Sequence, residues 1–292
     1  MEFVLKFANV SKNYGKVRAL KGITLEVSPG EKVALLGSNG AGKSTFLSLA
    51  AGLLSPSKGS VQVFENVPGE LSVRQKQTYL PQDLQFPENL KVKEVLSIIK
   101  GHYKVDQAYE LIQELGLSKL LDRKTMQLSG GERRKLGVAC TLLCNPEFAM
   151  LDEPTANIDV EGRQHVRDLL KSRFNKNSTL LFSSHEMSEV ESLADRIVVL
   201  KDGDIVENDK ATLIKKKFGV KRIRFVSDRK ISIPFCDSLE RSGDLYEILS
   251  NDSDRVIKEA LKQDHNLKNI DIELPKLDEV LQKLWSSDET HS

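Results

Sequence analysis

The feature that most constrains this chain is the glycine-rich segment at residues 37–45, which reads GSNGAGKST. It follows the apolar run at residues 33–36, which predicts a short buried strand, and it precedes residues 46–50, which predict a helix. A glycine-rich loop between a strand and a helix is the context of a phosphate-binding loop. Such a loop directs backbone N–H groups inward, and the helix N-terminus adds a positive dipole end. The alternative is an ordinary glycine-rich turn before a helix.

Two side chains of the loop indicate the chemistry of its ligand. Lys43 would bring a full positive charge to the β- and γ-phosphates of a nucleotide, and the Ser44 hydroxyl would hold Mg²⁺. The predicted nucleotide-binding residues of the loop are Gly37, Ser38, Asn39, Gly40, Ala41, Gly42, Lys43, Ser44 and Thr45.

A second group of candidate residues follows the apolar run at residues 148–151, where Asp152 and Glu153 come next. In parallel sheets ligands bind beyond the carboxyl ends of the strands, so these carboxylates are expected near the phosphates. Asp152 would hold Mg²⁺ together with Ser44, and Glu153 would polarise the attacking water. The alternative for Asp152 is a carboxylate that only caps a turn.

The order of elements predicts an α/β fold with a parallel core sheet and helices on its faces. A polar loop is expected at residues 11–18, and helical spacing predicts an insertion at residues 88–144. Helices are also expected at residues 160–174 and 187–193. Strands are predicted at residues 2–10, 23–27, 33–36, 60–64, 78–80, 148–151, 179–182 and 197–200.

The character of the chain changes near residue 211, after which a small α+β appendage is predicted. Its basic run at residues 215–224 could contact anionic lipid, although such a run is more often a solvated face. The predicted strands lie near residues 220–226, 231–235, 244–249 and 268–273, and the predicted helices near residues 253–263 and 276–285.

Composition argues against several classes of protein. The formal net charge is +1, which gives no support to a nucleic-acid-binding protein. Three cysteines without a regular framework favour a reducing compartment, and Cys140 and Cys144 would be a metal pair or, more often, two buried small side chains. The chain has no apolar run near ~20 residues and no secretory form at its N-terminus, so a cytosolic location is expected.

The residues that identify a family are LSGGE at 128–132, ahead of the strand that ends in Asp152 and Glu153. Together with the phosphate loop, Gln82 and His185, this segment resembles the motif set of the nucleotide-binding subunits of the ATP-binding cassette (ABC) family. The resemblance implies a phosphate-loop NTPase fold with a mixed or parallel core sheet, an antiparallel β subdomain and a helical subdomain.

The same resemblance implies a domain division. It covers roughly residues 2–210, so an ABC-type ATP-binding domain is expected at residues 1–210, with its helical subdomain at about residues 84–145. Residues 211–292 would form a C-terminal accessory α+β region.

The resemblance also implies roles for side chains outside the loop. Tyr14 would stack on adenine, Gln82 would contact Mg²⁺ or the attacking water, and His185 would hold the γ-phosphate. The alternatives are an exposed loop tyrosine, a polar loop residue and a strand-end histidine without such a role. Asp159 would lie at the seam between two subunits or act as a helix N-cap, and the two roles can coexist.

Ser129, Gly130 and Gly131 open a predicted helix and could bind an anion through its N–H groups and dipole. The resemblance implies that they cap the ATP held by a second, identical chain, so that two ATP molecules are buried head to tail. Glu132 stands where many members have glutamine, and ANID at residues 156–159 replaces the more usual SGLD. Neither change removes a catalytic group, but the second leaves the contacts at the dimer seam open.

These implied roles amount to an ATPase that uses ATP and Mg²⁺. The expected catalytic residues are Glu153, His185, Lys43 and Gln82. The expected Mg²⁺ ligands are Ser44, Gln82 and Asp152.

Two functions fit such an ATPase. The first is the energising subunit of a membrane transporter, held at the inner face of the cell membrane by separate permease chains. The alternative is a soluble ABC-type ATPase that acts as a mechanical or regulatory switch. A single phosphate loop and the lack of a heptad run between the motifs favour the transporter, and the helical block near residues 88–128 has the size expected for the surface that receives a coupling helix.

The direction of transport is the least constrained expectation. The segment at residues 277–284 resembles the closing helix of bacterial export-type, multidrug-related ATPases, so an exporter is expected and an importer stays open. The alternative is an amphipathic helix that packs on its own domain. The cassette does not choose the cargo in this family, so the sequence does not indicate the transported substrate.

Overall fold

The computed structural model describes residues 2–103, 109–175, 177–218 and 220–286. In these ranges the strands are β1 (Leu5–Tyr14), β2 (Val17–Val27), β3 (Lys32–Gly37), β4 (Lys58–Val63), β5 (Gln77–Leu80), β6 (Phe148–Asp152), β7 (Thr179–Ser183), β8 (Arg196–Lys201), β9 (Asp204–Asp209), β10 (Lys221–Val226), β11 (Ser238–Ser242), β12 (Leu245–Ser250) and β13 (Lys268–Glu273). The α-helices are α1 (Lys43–Ala50), α2 (Leu71–Arg74), α3 (Val92–Tyr103), α4 (Tyr109–Glu114), α5 (Gly130–Leu143), α6 (Val160–Arg173), α7 (Met187–Leu193), α8 (Ala211–Phe218), α9 (Ser253–Gln263) and α10 (Leu277–Ser286).

The chain divides into two compact units, Met1–Asp209 and Lys210–Ser292. None of the helices within the described ranges combines the length and hydropathy of a membrane-spanning segment.

The first unit is built around a six-stranded sheet with the order β5-β6-β7-β3-β8-β9. Every neighbouring pair is parallel except β8 and β9, which form an antiparallel hairpin. Every residue of β6 and β7 is buried, as expected of parallel strands that are covered on both faces of the sheet. The carboxyl ends of β3, β5, β6 and β7 therefore lie along one edge, and the predicted α/β fold with a mixed core sheet is confirmed.

A separate antiparallel sheet, with the order β2-β1-β4, packs against helix α1 in the same unit. The rings of Phe7 and Phe46 stack there with centroids 4.2 Å apart. The prediction of a polar loop at residues 11–18 is wrong. Strand β1 runs to Tyr14 and a two-residue turn leads into β2, because backbone pairing extends the hairpin through residues that lack apolar alternation.

The predicted helical insertion contains α3, α4 and α5, together with two short 3₁₀ helices. Its apolar positions Val92, Val95, Leu96, Leu111 and Ile112 are buried, as the helical spacing indicates. Residues 104–108 of this insertion lie outside the described residues.

The second unit contains an antiparallel sheet with the order β11-β12-β10-β13. The prediction of a strand near residues 231–235 is wrong. Pro234 cannot donate to a ladder, and the backbone N–H of Ile231 donates instead to Tyr246 Oη at 3.0 Å, so the segment packs its isoleucines without pairing. The strand next to β12 is β11. Helix α8, for which no helix was predicted, includes the first lysines of the basic run.

Candidate functional site

The phosphate loop leaves strand β3 at Gly37 and ends where helix α1 begins at Lys43. Lys43 is only 8% exposed, and its Nζ donates to the carbonyls of Gly37 and Ser38 at 2.7 and 3.1 Å. Burial lowers the pKa of Lys43, while the charges of Glu153 and Asp152 oppose that shift. The ammonium group is thus held over the loop by carbonyl oxygens that a phosphate could replace.

Gly42 caps helix α1 in the left-handed region, with φ 105°. A Cβ at this position would meet the Ala19 carbonyl oxygen at 2.6 Å. Only glycine therefore allows both this backbone conformation and this close approach. The N-terminal N–H groups of α1 are directed toward the loop as a result.

A cavity of about 290 Å³ opens beside the loop. It is lined by Tyr14, Ala19, Asn39, Gly40, Gly42, Lys43, Ser44, Thr45, Gln82 and Glu153. The structure thus brings the loop together with Gln82 and Glu153, which are distant in sequence. Tyr14 lies at the mouth, 47% exposed, with Lys12 Nζ 5.4 Å from its ring centroid. Its ring face is therefore shared with a cation.

Asp152 ends strand β6 and is 1% exposed. The Ser183 hydroxyl donates to its Oδ1, whereas Oδ2 has no hydrogen-bond partner among the described residues. A buried carboxylate oxygen without a partner costs free energy unless another group satisfies it. Such an oxygen, with the Ser44 hydroxyl and the Gln82 amide near the same loop, is the hard oxygen donor set that Mg²⁺ prefers. The residues present therefore fit a magnesium nucleotide.

Glu153 is the point at which three cavities meet, because it lines the phosphate-loop cavity and two others. Its backbone is left-handed, with φ 54°. Its Oε1 lies 2.9 Å from His185 Nε2, which follows strand β7. His185 lines a cavity of about 160 Å³ with Glu153 and is not among the residues that line the phosphate-loop cavity.

Ser129 is the N-cap of helix α5. Its hydroxyl accepts from the backbone N–H of Glu132 at 3.2 Å, and its own N–H donates to Glu132 Oε2 at 2.8 Å. Glu132 thus completes a capping box, in which a glutamate or a glutamine at N3 satisfies an N-terminal donor. Gly130 lines a cavity of about 420 Å³ with Gln82 and Glu153.

The structure therefore does not bring the tip of α5, formed by Ser129, Gly130 and Gly131, into the phosphate-loop cavity. None of these three residues lines that cavity in the described chain. Within one chain, the phosphate loop and the tip of α5 therefore line different cavities.

Asp159 is the N-cap of helix α6, as one of its two predicted roles requires. Its Oδ2 accepts from the Gly162 N–H at 3.4 Å and its Oδ1 lies 3.6 Å from Lys135 Nζ. The hydrogen bond from Gly162, helped by the charge of Lys135, lowers the pKa of Asp159.

Cys140 on α5 and Cys144, the C-cap of that helix, are half-buried, and the Cys144 thiol donates to the Cys140 carbonyl at 3.2 Å. Within the described ranges no group of three or more histidine, cysteine, aspartate or glutamate side chains is arranged to hold a metal ion.

Sequence reasoning missed side chains that support the site. Ser183 donates to Asp152 and accepts from the Glu153 N–H at 2.9 Å. Glu189, 1% exposed, accepts from Ser184 and from Thr155 and so joins the loops that follow β6 and β7. Ser183 ends an apolar run and Glu189 lies in an ordinary helix, so neither position carries a pattern that indicates these contacts.

Comparison with known proteins gives the family. A family model described as ABC transporter matches residues 20–156. The linearmycin resistance ATP-binding protein LnrL of Bacillus subtilis (strain 168) is 33% identical over 211 residues, which are 70% of this chain and 68% of that protein. The lantibiotic transport ATP-binding protein SrtF of Streptococcus pyogenes is 32% identical over 205 residues, 70% of this chain and 89% of that one.

A larger relative and two solved structures agree. The chain is 34% identical over 230 residues to ATP-binding cassette sub-family A member 10 of Homo sapiens, but it spans only 15% of that protein's length. An ATP-binding subunit of an ABC transporter superposes with a TM-score of 0.68 and 26% identity, over 74% of this chain and 93% of that one. A dimeric ATP-binding cassette in a post-hydrolysis state, bound to ADP and phosphate, superposes with a TM-score of 0.64 and 26% identity over 70% and 98% of the two chains. The chain therefore belongs to the ABC transporter family, in which it is an ATP-binding cassette with ATPase activity.

Proposed function

We propose that this chain powers a membrane transporter, and that two copies close head to tail around two molecules of ATP. The observation that carries the proposal is the separation of the two phosphate-binding features within one chain. The phosphate loop and the tip of α5 line different cavities, and both cavities include Glu153 and Gln82. A second copy related by a two-fold axis would supply the missing tip to each loop.

The residues of one chain divide the work at each site. Lys43 and the N–H groups at the start of α1 bind the β- and γ-phosphates, and Tyr14 stacks on the adenine once its ring face is free. Ser44, Asp152 and Gln82 would hold Mg²⁺, which would neutralise negative charge on the phosphates. The N-terminus of α5, with Ser129, Gly130 and Gly131, faces the γ-phosphate bound by the other chain.

Glu153 and His185 act on the reaction itself. Glu153 accepts a hydrogen bond from the attacking water and orients it for in-line attack. His185 donates to the γ-phosphate, which requires it to leave its present position 2.9 Å from Glu153. Before the dimer closes, His185 occupies the Glu153 carboxylate. Glu153 becomes free to orient water only when nucleotide and partner are in place.

The direct test is Glu153→Gln, which keeps the shape of the side chain but removes its negative charge. We expect a stable dimer with ATP by size-exclusion chromatography and almost no hydrolysis. Glu147→Gln, at the other end of β6, is a matched control because Glu147 is half-exposed and pairs with Lys76 at 3.4 Å. Parental turnover by Glu153→Gln would show that the assigned role is wrong.

Export is the direction that the relatives favour. Two of them are named for linearmycin resistance and for lantibiotic transport. A protein named for sulfoquinovosyl glycerol transport is 35% identical over 208 residues, so the names do not single out one cargo. We propose an exporter whose separate permease chains select the substrate and hold the cassette at the inner face of the membrane.

We propose that the permease docks in a groove of about 680 Å³ between the core sheet and the helical insertion. Its rim exposes Leu53 by 65% and Leu71 by 72%, and Arg74 lies among the residues that line it. Apolar side chains with one cation fit a short segment that carries apolar residues and a carboxylate. Leu71→Glu should abolish co-purification with the permease and leave ATP hydrolysis intact, whereas Val206→Glu, on exposed strand β9, should change neither.

We also propose that Met1–Asp209 is the ATP-binding domain and that Lys210–Ser292 is an accessory domain. The predicted site residues all lie in the first unit, and each unit has a hydrophobic core of its own. Deletion of the second unit should therefore leave the affinity for ATP within about twofold of the parent. Loss of ATP binding by a folded deletion variant would contradict this division.

A further inference from the structure

Arg134 is a buried arginine, 5% exposed, on the first turns of helix α5. Its Nε donates to the Glu153 carbonyl at 2.9 Å, and its Nη1 donates to the carbonyls of Pro81 and Gln82 at 2.6 and 3.2 Å. Its Nη2 donates to the Asp152 carbonyl. One guanidinium thus satisfies four backbone oxygens from two segments that lie beyond the ends of β5 and β6.

The contacts explain how these two strands are held where their ladder stops. Strand β5 ends at Leu80, and Pro81 has no N–H with which to continue the pairing with β6. A planar guanidinium with five donors in a fixed fork can reach oxygens on both segments at once. A lysine ammonium is a compact point charge and lacks that fork.

The close packing of α5 places Arg134 there. Gly137, one turn further along, faces the same segment, and a Cβ on it would meet Leu84 Cδ2 at 2.2 Å and Leu80 Cδ1 at 2.8 Å. Residues three apart share one face of a helix, so Arg134 faces the loop after β5 as Gly137 does. Helix α5, which begins at the Ser129 tip, is therefore hydrogen-bonded directly to the segment that carries Gln82.

Glu153 is the residue that most needs such support. A glutamate at φ 54° occupies a backbone region that L-residues rarely adopt, and it persists only when its surroundings hold it. Its N–H donates to Ser183 Oγ at 2.9 Å, and its carbonyl accepts from Arg134 and from the Ala156 N–H at 3.1 Å. Both peptide groups around Glu153 are thus held. The one before it is held by Ser183 and by Arg134 through the Asp152 carbonyl, and the one after it by Arg134 and the Ala156 N–H.

We infer that Arg134 is a positioning residue for ATP hydrolysis, which fixes the backbone of Glu153 and couples it to Gln82 and to the tip of helix α5. It is not among the residues that line the phosphate-loop cavity, so it acts through Glu153. The inference rests on the proposed role of Glu153. Displacement of a reacting group by about 1 Å lowers rates on the order of a hundredfold. Lys43 and the N–H groups at the start of α1, which are assigned to phosphate binding, are not among the hydrogen-bond partners of Arg134, so ATP binding should change much less.

Arg134→Lys tests the inference, with Arg134→Met as a second variant that keeps side-chain length. We expect kcat to fall at least tenfold for Arg134→Lys when it is expressed per nucleotide-binding site, with KM for ATP within about threefold of the parent. The number of sites and the affinity are measured by titration with the fluorescent analogue trinitrophenyl-ATP. Counting functional sites removes the effect of a misfolded fraction.

The matched control is Arg196→Lys. Arg196 also makes four hydrogen bonds, to Glu31, Asn208 and the Glu26 carbonyl, and it lines none of the cavities of the site. We expect it to lose thermal stability without a change in kcat per site, because its contacts do not involve the residues that follow β6.

Four outcomes separate the possibilities. A kcat per site within twofold of the parent for folded Arg134→Lys overturns the inference. A parallel loss of affinity and kcat also overturns it, since this indicates general damage to the unit. If Glu153→Gln, assayed beside it, keeps parental turnover, then the proposed function fails whatever Arg134 does. A drop in kcat alone, with Glu153→Gln inactive, supports both.

Discussion

At the scale of single residues, Glu189 shows how burial sets the behaviour of a carboxyl group beside the site. The hydroxyls of Ser184 and Thr155 both donate to its Oε2, and Oε1 has no partner among the described residues. Burial raises the pKa of Glu189, and the two hydrogen bonds only partly oppose that shift. The folded chain therefore holds this proton more tightly than the unfolded chain does.

This shift predicts a pH-dependent stability difference between the parent and Glu189→Gln. A carboxyl whose pKa is raised on folding contributes stability below its unfolded pKa, and that contribution is lost as pH rises through its folded pKa. Glutamine does not titrate, so the free energy of unfolding of the parent should fall relative to the variant between pH 4.5 and pH 8. Urea unfolding at both pH values measures the gap, and the exposed Glu88→Gln is the control. A gap that stays constant with pH would contradict the prediction.

The thiols of Cys140 and Cys144 give a second prediction at this scale. Burial raises their pKa values to about 12 and about 11, so at pH 8 almost none of either is thiolate. Because the thiolate is the nucleophile, alkylation by iodoacetamide in the native state should be on the order of a hundredfold slower than in guanidinium chloride. Mass spectrometry of the labelled peptides measures both rates. Equal rates in the two conditions would show that these thiols are not buried.

At the scale of elements, the packing of helix α5 against the loop after β5 depends on one glycine. Gly137→Ala would place a Cβ 2.2 Å from Leu84 Cδ2 and 2.8 Å from the buried Leu80 side chain. We expect a net loss of roughly 1–3 kcal/mol in the free energy of unfolding, because overpacking outweighs the better helix propensity of alanine. Gly101→Ala in α3 meets nothing within 4 Å and should instead gain about 0.5–1 kcal/mol. Urea unfolding of both variants tests the contrast, and equal effects would contradict it.

The same scale shows what the sequence can predict. Strands β6, β7 and β8 are continuous apolar runs between turn signals, so their existence and their positions along the chain follow from the pattern alone, whereas their order in the sheet does not. The extension of β1 to Tyr14 does not follow, because its last residues are polar and are held by backbone pairing with β2. The strand expected near residues 231–235 fails for the opposite reason, since its isoleucines are buried without pairing.

The residues of the site also differ in whether a local sequence pattern indicates them. The residues proposed to contact the nucleotide lie in short local motifs. Lys43 and Asp152 could therefore be proposed from their local sequence, and His185 from the family resemblance. Arg134, Ser183 and Glu189 act through contacts between segments that are distant in sequence. No local pattern encodes such contacts, and they become visible only once the strand order is known.

At the scale of the whole molecule, the phosphate loop and the tip of α5 line different cavities, so under the proposed function one chain holds only half of each site. In the proposed dimer a site takes its loop, Asp152 and Glu153 from one copy and the Ser129 tip from the other. A defect in the loop and a defect in the tip would then lie in different halves of a site. A variant inactive through its loop and a variant inactive through its helix tip should therefore recover ATPase activity when they are mixed.

Lys43→Ala and Ser129→Arg are such a pair. Each should be nearly inactive alone, because every site of either homodimer lacks one half. In a mixed dimer one site combines the intact loop of the Ser129→Arg chain with the intact tip of the Lys43→Ala chain. An equal mixture should thus regain about a quarter of parental activity, since half of the dimers are mixed and each has one intact site. ATP turnover of the mixture measures this recovery.

The control for this recovery is a mixture of Lys43→Ala with Glu153→Gln. Both changes lie in the same half of a site, so every site in the mixed dimer keeps one defect and no activity should return. Recovery in this control would mean that the assignment of Glu153 to the loop's half is wrong. No recovery with Ser129→Arg, when cross-linking shows that mixed dimers form, would mean that the helix tip of one copy does not complete the site of the other.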